Sequence, residues 1–187
     1  MLAVLRATQG PAADELSDLE VLRAAGGDRN AWRGLIDCYQ HRVFALVSRM
    51  LAGRDRHAIE DLAQDTFLAV FRQLPSYRPA GPARLSTWIL TIAARRAIDE
   101  LRRRRPAPIE APPAGSEDHA RRRELQRAIE GALAELSPEH RAAFLLREYH
   151  GLEYAEIASA LEIDLGTVKS RLSRARAALR DRLKGLS

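Results

Sequence analysis

The sequence predicts an all-α protein of two small helical domains joined by a proline-rich linker, and three observations predict it. Apolar residues recur at spacings of three and four, as in Leu35, Ile36, Tyr39, Val43, Leu46, Val47 and Met50. Residues 106–120, PAPIEAPPAGSEDHA, hold four prolines, lack periodicity and read as a semi-rigid linker. The chain closes on a cationic amphipathic stretch, GTVKSRLSRARAALRDRLKG, at 166–185. The expected boundaries are a loose tail at 1–16, a first domain at 17–105, the linker at 106–120 and a second domain at 121–187.

Composition narrows the class. The apolar fraction of 46% over 187 residues can build two cores. The net charge of +5 is unevenly placed, with the surplus at 102–105 and 166–185, so local patches carry the signal. The single cysteine, Cys38, permits no intramolecular disulfide and no cysteine-based metal cluster; it suits a reducing cytoplasm, and its default role is that of a small buried hydrophobe. No signal peptide or membrane span is expected, and neither is a cofactor.

Each element has its own justification. A short helix from Ser17 to Ala25 is stopped by Gly26 and Gly27, and Asp28 is placed to cap the next by accepting from its free amides. That next helix carries the stripe from Leu35 to Met50 and ends near Gly53. A third helix, Ala58 to Leu74, buries Ile59, Leu62, Ala63, Thr66, Phe67, Val70, Phe71 and Leu74, with Pro75 at its end. On its opposite side Asp61, Gln64, Asp65, Leu68 and Arg72 form a polar row with one apolar member. The loop from Pro75 to Arg84 contains three prolines and Gly81; Ser86 then caps a fourth helix with Leu85, Trp88, Ile89 and Ile92 inward. It runs on into ARRAIDELRRRR, a basic rod.

In the second half a helix from Arg121 to Leu136 is followed by Ser137 and Pro138, a strong helix start because serine caps free amides and proline has none to leave unpaired. Gly151 ends that helix. Residues 153–161, EYAEIASAL, form a short helix with Ala155, Ile157, Ala158 and Leu161 inward, and small Ala155 and Ala158 permit close crossing. Glu162, Ile163 and Asp164 turn the chain into the cationic helix, which Asp164 caps.

A short helix, a tight turn and a second helix is the helix-turn-helix arrangement, in which the second helix enters the major groove. Val168, Leu172, Ala175, Leu179 and Leu183 share its packing side, while Lys169, Ser170, Ser173, Arg174, Arg176 and Arg180 point elsewhere. Seven basic residues stand against Asp181 alone, and a face with so little mixing of sign favours nucleic acid over an ordinary solvated surface.

Three stretches together resemble a known family: EDLAQDTFLAVFRQLPSYRP (60–79), LSTWILTIAARRAIDELRRRR (85–105) and LSPEHRAAFLLREYHGLEYAEIASALEIDLGTVKSRLSRARAALRDRL (136–183). In this order, around a proline-rich linker, they are similar to the extracytoplasmic-function (ECF) sigma factors of bacterial RNA polymerase, from about Asp18 to Gly185. The resemblance implies a region 2-like helical bundle followed by a region 4-like helix-turn-helix bundle, with core RNA polymerase and promoter DNA as partners and an anti-sigma factor as a further one. Asp61, Gln64, Asp65 and Leu68 would dock on the polymerase. The loop from Arg78 to Leu85, with Arg84, would frame a pocket for a base flipped from the non-template strand of the minus-ten element, and Arg95, Arg96 and Arg102 would hold phosphates. Trp88 could stack on an exposed base, although its place on the apolar stripe favours the core. At the minus-thirty-five element Lys169, Ser170, Ser173 and Arg174 would face the groove, with Thr167, Arg171 and Arg176 nearer the phosphates. This chain has Arg95 where the family often has asparagine, Thr91 where arginine is frequent, and Ser173 where some relatives carry a larger side chain.

Two other readings remain at this point. One is an autonomous regulator that binds duplex DNA without polymerase, its first domain serving dimerisation or a ligand. The other is an enzyme acting on nucleic acid, which the scattered histidines, and the lack of an HExxH motif, a phosphate-cradling glycine loop or a metal-spaced carboxylate cluster, disfavour.

Overall fold

A computed structural model describes residues 16–81, 83–103 and 117–184, with the side chains of 117–123 left out. The described residues form eight α-helices and no strand. The first three helices are each set by a side-chain cap. Helix α1 (Asp18–Ala25) opens with a capping box, in which Glu20 accepts from the Ser17 amide at 2.9 Å and Ser17 from the Glu20 amide at 3.4 Å. Asp28 caps α2 (Arg29–Met50) by accepting from the Asn30 and Ala31 amides at 2.9 and 3.1 Å. Asp55 caps α3 (Arg56–Gln73) by accepting from Ala58 at 2.8 Å, which starts that helix two residues before the position expected from its apolar spacing. A single 3-10 turn, Leu74–Ser76, leads into the loop before α4 (Leu85–Arg103). The first core joins Leu35, Tyr39, Val43, Leu46 and Met50 of α2 to Leu62 and Val70 of α3 and to Ile89, Leu90, Ala93, Ala94 and Ala97 of α4. The alanines let α4 lie close along α2, and each fully buried branched side chain contributes roughly 1.5–3 kcal/mol.

The second half begins with α5 (Glu117–Ala134). Its start falls inside the expected linker: 106–116 lie outside the described residues, as do 1–15 of the expected tail, but 117–120 are helical. Helix α6 (Pro138–Phe144), capped by Ser137, passes into a π-helical turn over Leu145–Tyr149, and Gly151 leaves it at φ 74. Helix α7 (Tyr154–Leu161) and α8 (Leu165–Leu183) follow. Phe144, Leu145, Leu146, Ile157, Val168, Leu172, Ala175 and Leu179 form the core that holds α8 against α6 and α7.

Three expectations change. Phe71 is 50% exposed, because the buried arc of α3 is narrower than the apolar run and is filled by Leu62, Thr66, Ala69 and Val70. Ser86 lies one residue inside α4 and is buried, so the cap position falls to Arg84. Ala155 does not pack inward; it lines a cleft toward α4, and Ala160 takes the buried place instead.

The two halves pack on one another. Arg141 of α6 is buried, and its guanidinium donates to the Met50 carbonyl at the end of α2 as well as to Ala134 (2.7 Å) and Leu136 (3.2 Å) at the end of α5. Helix ends leave carbonyls without intrahelical partners, so one arginine closes two ends from different halves. The Arg49 guanidinium lies 3.9 Å from the centroid of the Tyr149 ring, a second tie between the halves.

Candidate nucleic-acid interface

Helix α8 is held by its first turn and its apolar side. Asp164 accepts from the Thr167 amide at 2.8 Å and the Thr167 hydroxyl at 2.6 Å, and these bonds hold its carboxyl below the usual range. With Val168, Leu172 and Ala175 buried, Lys169, Ser170, Ser173 and Arg174 are all exposed on the far side. Arg171 is half-buried beside them. A row of two cations and two short hydroxyls in the first turns of a helix has the donors and the clearance to reach base edges in a major groove.

Arg176 was expected near phosphate, but the structure gives it a partner within the chain. Its Nε and Nη2 donate to Glu148 at 3.0 and 2.5 Å; Glu148 is 7% exposed and Arg176 38%. The helix turns that side chain toward the π-turn, where a buried carboxylate needs a counter-charge, and the bond raises the guanidinium's pKa. A residue missed from sequence stands nearby: His140, in the first turn of α6, lies in the field of Arg171 and Arg174, and burial followed by those two charges lowers its pKa. Its signal was the Ser137-Pro138 start, which fixes His140 as the residue whose amide Ser137 receives.

The loop before α4 is stitched rather than open. The Tyr77 hydroxyl donates to the Ala83 carbonyl at 3.0 Å, and the Gly81 amide to the Arg78 carbonyl at 2.8 Å. A Cβ on Gly81 would lie 2.8 Å from that same carbonyl, so glycine is needed for the close turn. Arg78 and Arg84 are exposed at the two ends of the loop. Trp88 packs against the core with its ring 5.2 Å from Tyr77, in line with its place on the apolar stripe.

Two of the arginines expected on phosphates are engaged inside the folded chain. Arg95 donates to the Ala160 and Ser159 carbonyls at 2.7 and 3.3 Å and pairs with Glu162 at 2.9 Å; Arg102 donates to Glu139 at 3.0 and 2.7 Å. Both acceptor groups belong to the second half, folded back over α4. Arg96 is half-buried and lines the same cleft.

On α3 the expected docking row is laid out on one side. Asp61, Gln64 and Asp65 are exposed, and Leu68 beside them is 52% exposed. Phe71, one turn on, meets Trp32 edge-on at 5.1 Å and extends the apolar part of this surface. Among the described residues no group of three or more histidines, cysteines and carboxylates could hold a metal ion, and no helix is long and apolar enough to cross a membrane.

Residues 35–107 match the family described as Sigma-70 region 2, and residues 126–179 match Sigma-70, region 4. The RNA polymerase sigma-H factor of Pseudomonas aeruginosa is 32% identical, over 89% of this chain and 93% of its own length. The ECF RNA polymerase sigma-E factor of Escherichia coli is 31% identical over 92% and 97%, and the ECF sigma factor SigE of Mycolicibacterium smegmatis 37% over 85% and 65%. Among solved structures, CnrH in complex with the cytosolic domain of CnrY aligns with a TM-score of 0.68 at 27% identity, over 90% of this chain and 97% of that one. The sigma factor RpoE in complex with the anti-sigma factor NepR from Bartonella quintana shares the fold, with a TM-score of 0.62 at 24% identity over 81% and 96%. With relatives of that name spanning both halves in the same order, this chain belongs to the ECF family of RNA polymerase sigma factors.

Proposed function

We propose that the chain joins core RNA polymerase through the α3 row, reads duplex minus-thirty-five DNA with α8, and holds the opened minus-ten element with α4 and the loop before it. RNA synthesis belongs to the polymerase, and this chain selects where it starts. The observation that carries the reading is the division of surfaces: an acidic row with an apolar centre on α3, and a cationic, hydroxyl-bearing row on α8. An acidic surface cannot hold phosphate and suits a basic protein face, whereas the α8 row suits DNA. The domain limits proposed are 17–105 and 117–187, and the chain works in the cytoplasm, where its DNA lies. CnrH and RpoE are solved with CnrY and with the anti-sigma factor NepR, and an anti-sigma protein is proposed as the inhibitor of this chain also.

The test separates the two surfaces. Asp61→Lys with Asp65→Lys should weaken capture of core polymerase at least tenfold while leaving duplex binding by the same protein unchanged. Equal capture by the wild-type and variant chains would contradict the assignment of α3, and loss of both activities would show that the surfaces are not separate.

A further inference from the structure

Leu165 is the first residue of α8 and lies outside the core that holds the helix. It is 49% exposed, and among the described residues of the second half no other large apolar side chain is as open. Val168, Leu172, Ala175 and Leu179 fill the packing side without it. A single exposed leucine is ordinary on a protein surface, so its place decides what it means. Leu165 stands one turn before Lys169 and two before Ser173, on the flank of α8 that carries the cationic and hydroxyl row. It is the apolar member of that row, at the end of the helix that a helix-turn-helix brings to the base edges.

The first turn is built to present it. The carboxylate beside it, Asp164, is taken up by the Thr167 amide and hydroxyl at 2.8 and 2.6 Å. Gly166 follows, and a Cβ there would come within 2.9 Å of the Asp164 Oδ1, so glycine keeps the cap tight and leaves the space next to Leu165 clear. Leucine has no donor or acceptor and adds nothing to phosphate binding. On the base edges of a major groove the ring and exocyclic heteroatoms are polar, and the apolar group is the C5-methyl of thymine. Leu165 therefore differs in kind from Lys169 and Arg174, whose donors suit guanine acceptors.

We infer that Leu165 is a specificity residue of the duplex interface, packing on the C5-methyl of a thymine reached by the first turn of α8. The inference rests on the assignment of α8 to duplex DNA made above, and extends it to an apolar contact that the polar row cannot make. Covering one methyl-sized group is worth about fourfold in affinity, so the contact selects thymine at one position without dominating binding.

The full-length chain is tested as the holoenzyme, assembled with core RNA polymerase and used to select upstream duplex from a pool of random sequence. Each thymine of the selected element is then replaced singly by uracil, which removes the methyl and keeps every hydrogen-bonding group. One replacement should weaken wild-type binding about fourfold, and the same replacement should have no effect on Leu165→Ala. Leu165→Met, which keeps an apolar side chain of similar size, should retain the sensitivity. Because Leu165 lies outside the core, both variants should unfold at the wild-type temperature. The absence of any uracil-sensitive thymine, or equal sensitivity in Leu165→Ala, would overturn the inference while leaving α8 on duplex DNA. Weaker assembly of Leu165→Ala with core polymerase would place the side chain in a protein contact and overturn it as well. A holoenzyme that selects no common upstream sequence would remove the α8 assignment, and this inference with it.

Discussion

Arg174 and Arg176 leave α8 two residues apart and meet different fates. Arg174 is exposed beside Lys169, whereas Arg176 is bound to the buried carboxylate of Glu148. Lys169→Ala and Arg174→Ala should therefore change which duplex sequence is preferred, each costing about 1–3 kcal/mol against the best site, as read by competition binding. Arg176→Ala should instead lower stability to urea by about 1–2 kcal/mol, a value reduced because the pair is partly solvated, and leave the salt dependence of DNA binding unchanged. A shallower salt slope in Arg176→Ala would restore it to the phosphates. His150 makes a second residue-level prediction. Its Nε2 is enclosed without a hydrogen-bond partner, and burial, then the charges of Arg42 and Arg49, push its pKa from 6.5 down to about 3. The folded chain keeps this ring neutral while the unfolded chain takes up a proton below about pH 6.5, so the stability it supplies is complete above that pH and lost as the pH falls toward 3. Urea unfolding should show a loss of up to about 2 kcal/mol between pH 6.5 and 5, to which His140 adds in the same direction, and His150→Gln should flatten the curve. The same curve in wild type and variant would contradict the assignment.

At the scale of elements, α8 depends on one cap. Asp164→Ala leaves the Thr167 amide and hydroxyl without their acceptor and should cost about 0.5–2 kcal/mol of stability, weakening duplex binding with no change in sequence preference. Circular dichroism and competition binding check the two parts; a shifted preference would mean that Asp164 or Thr167 takes part in readout. The caps at Asp28, Ser137 and Asp164 were legible in the sequence because each acts within three residues of itself. Asp55 carries the same signal but was masked by the apolar spacing that begins at Ile59. Phe71 was misplaced because spacing alone does not tell how wide a buried arc is. The rows on α3 and α8 were legible for the opposite reason: a helix fixes which residues share a side. The partners of Arg95, Arg102 and Arg176 were not, since they lie 28 to 67 residues away and depend on how the helices pack.

The whole molecule combines two cores with a set of ties between them, centred on Arg141, whose burial lowers its pKa to about 10 and leaves it charged at neutral pH. The proposed division of labour would account for this architecture, with one half for polymerase and opened DNA and the other for upstream duplex. The central claim is that the chain confers promoter choice on polymerase, and run-off transcription tests it most directly. Core polymerase from the same cell, supplied with genomic promoter fragments, should produce discrete transcripts only when this chain is added, and Lys169→Ala with Arg174→Ala should change which fragments are used. The same transcripts with and without the chain, or none in either case beside an active control sigma factor, would contradict it.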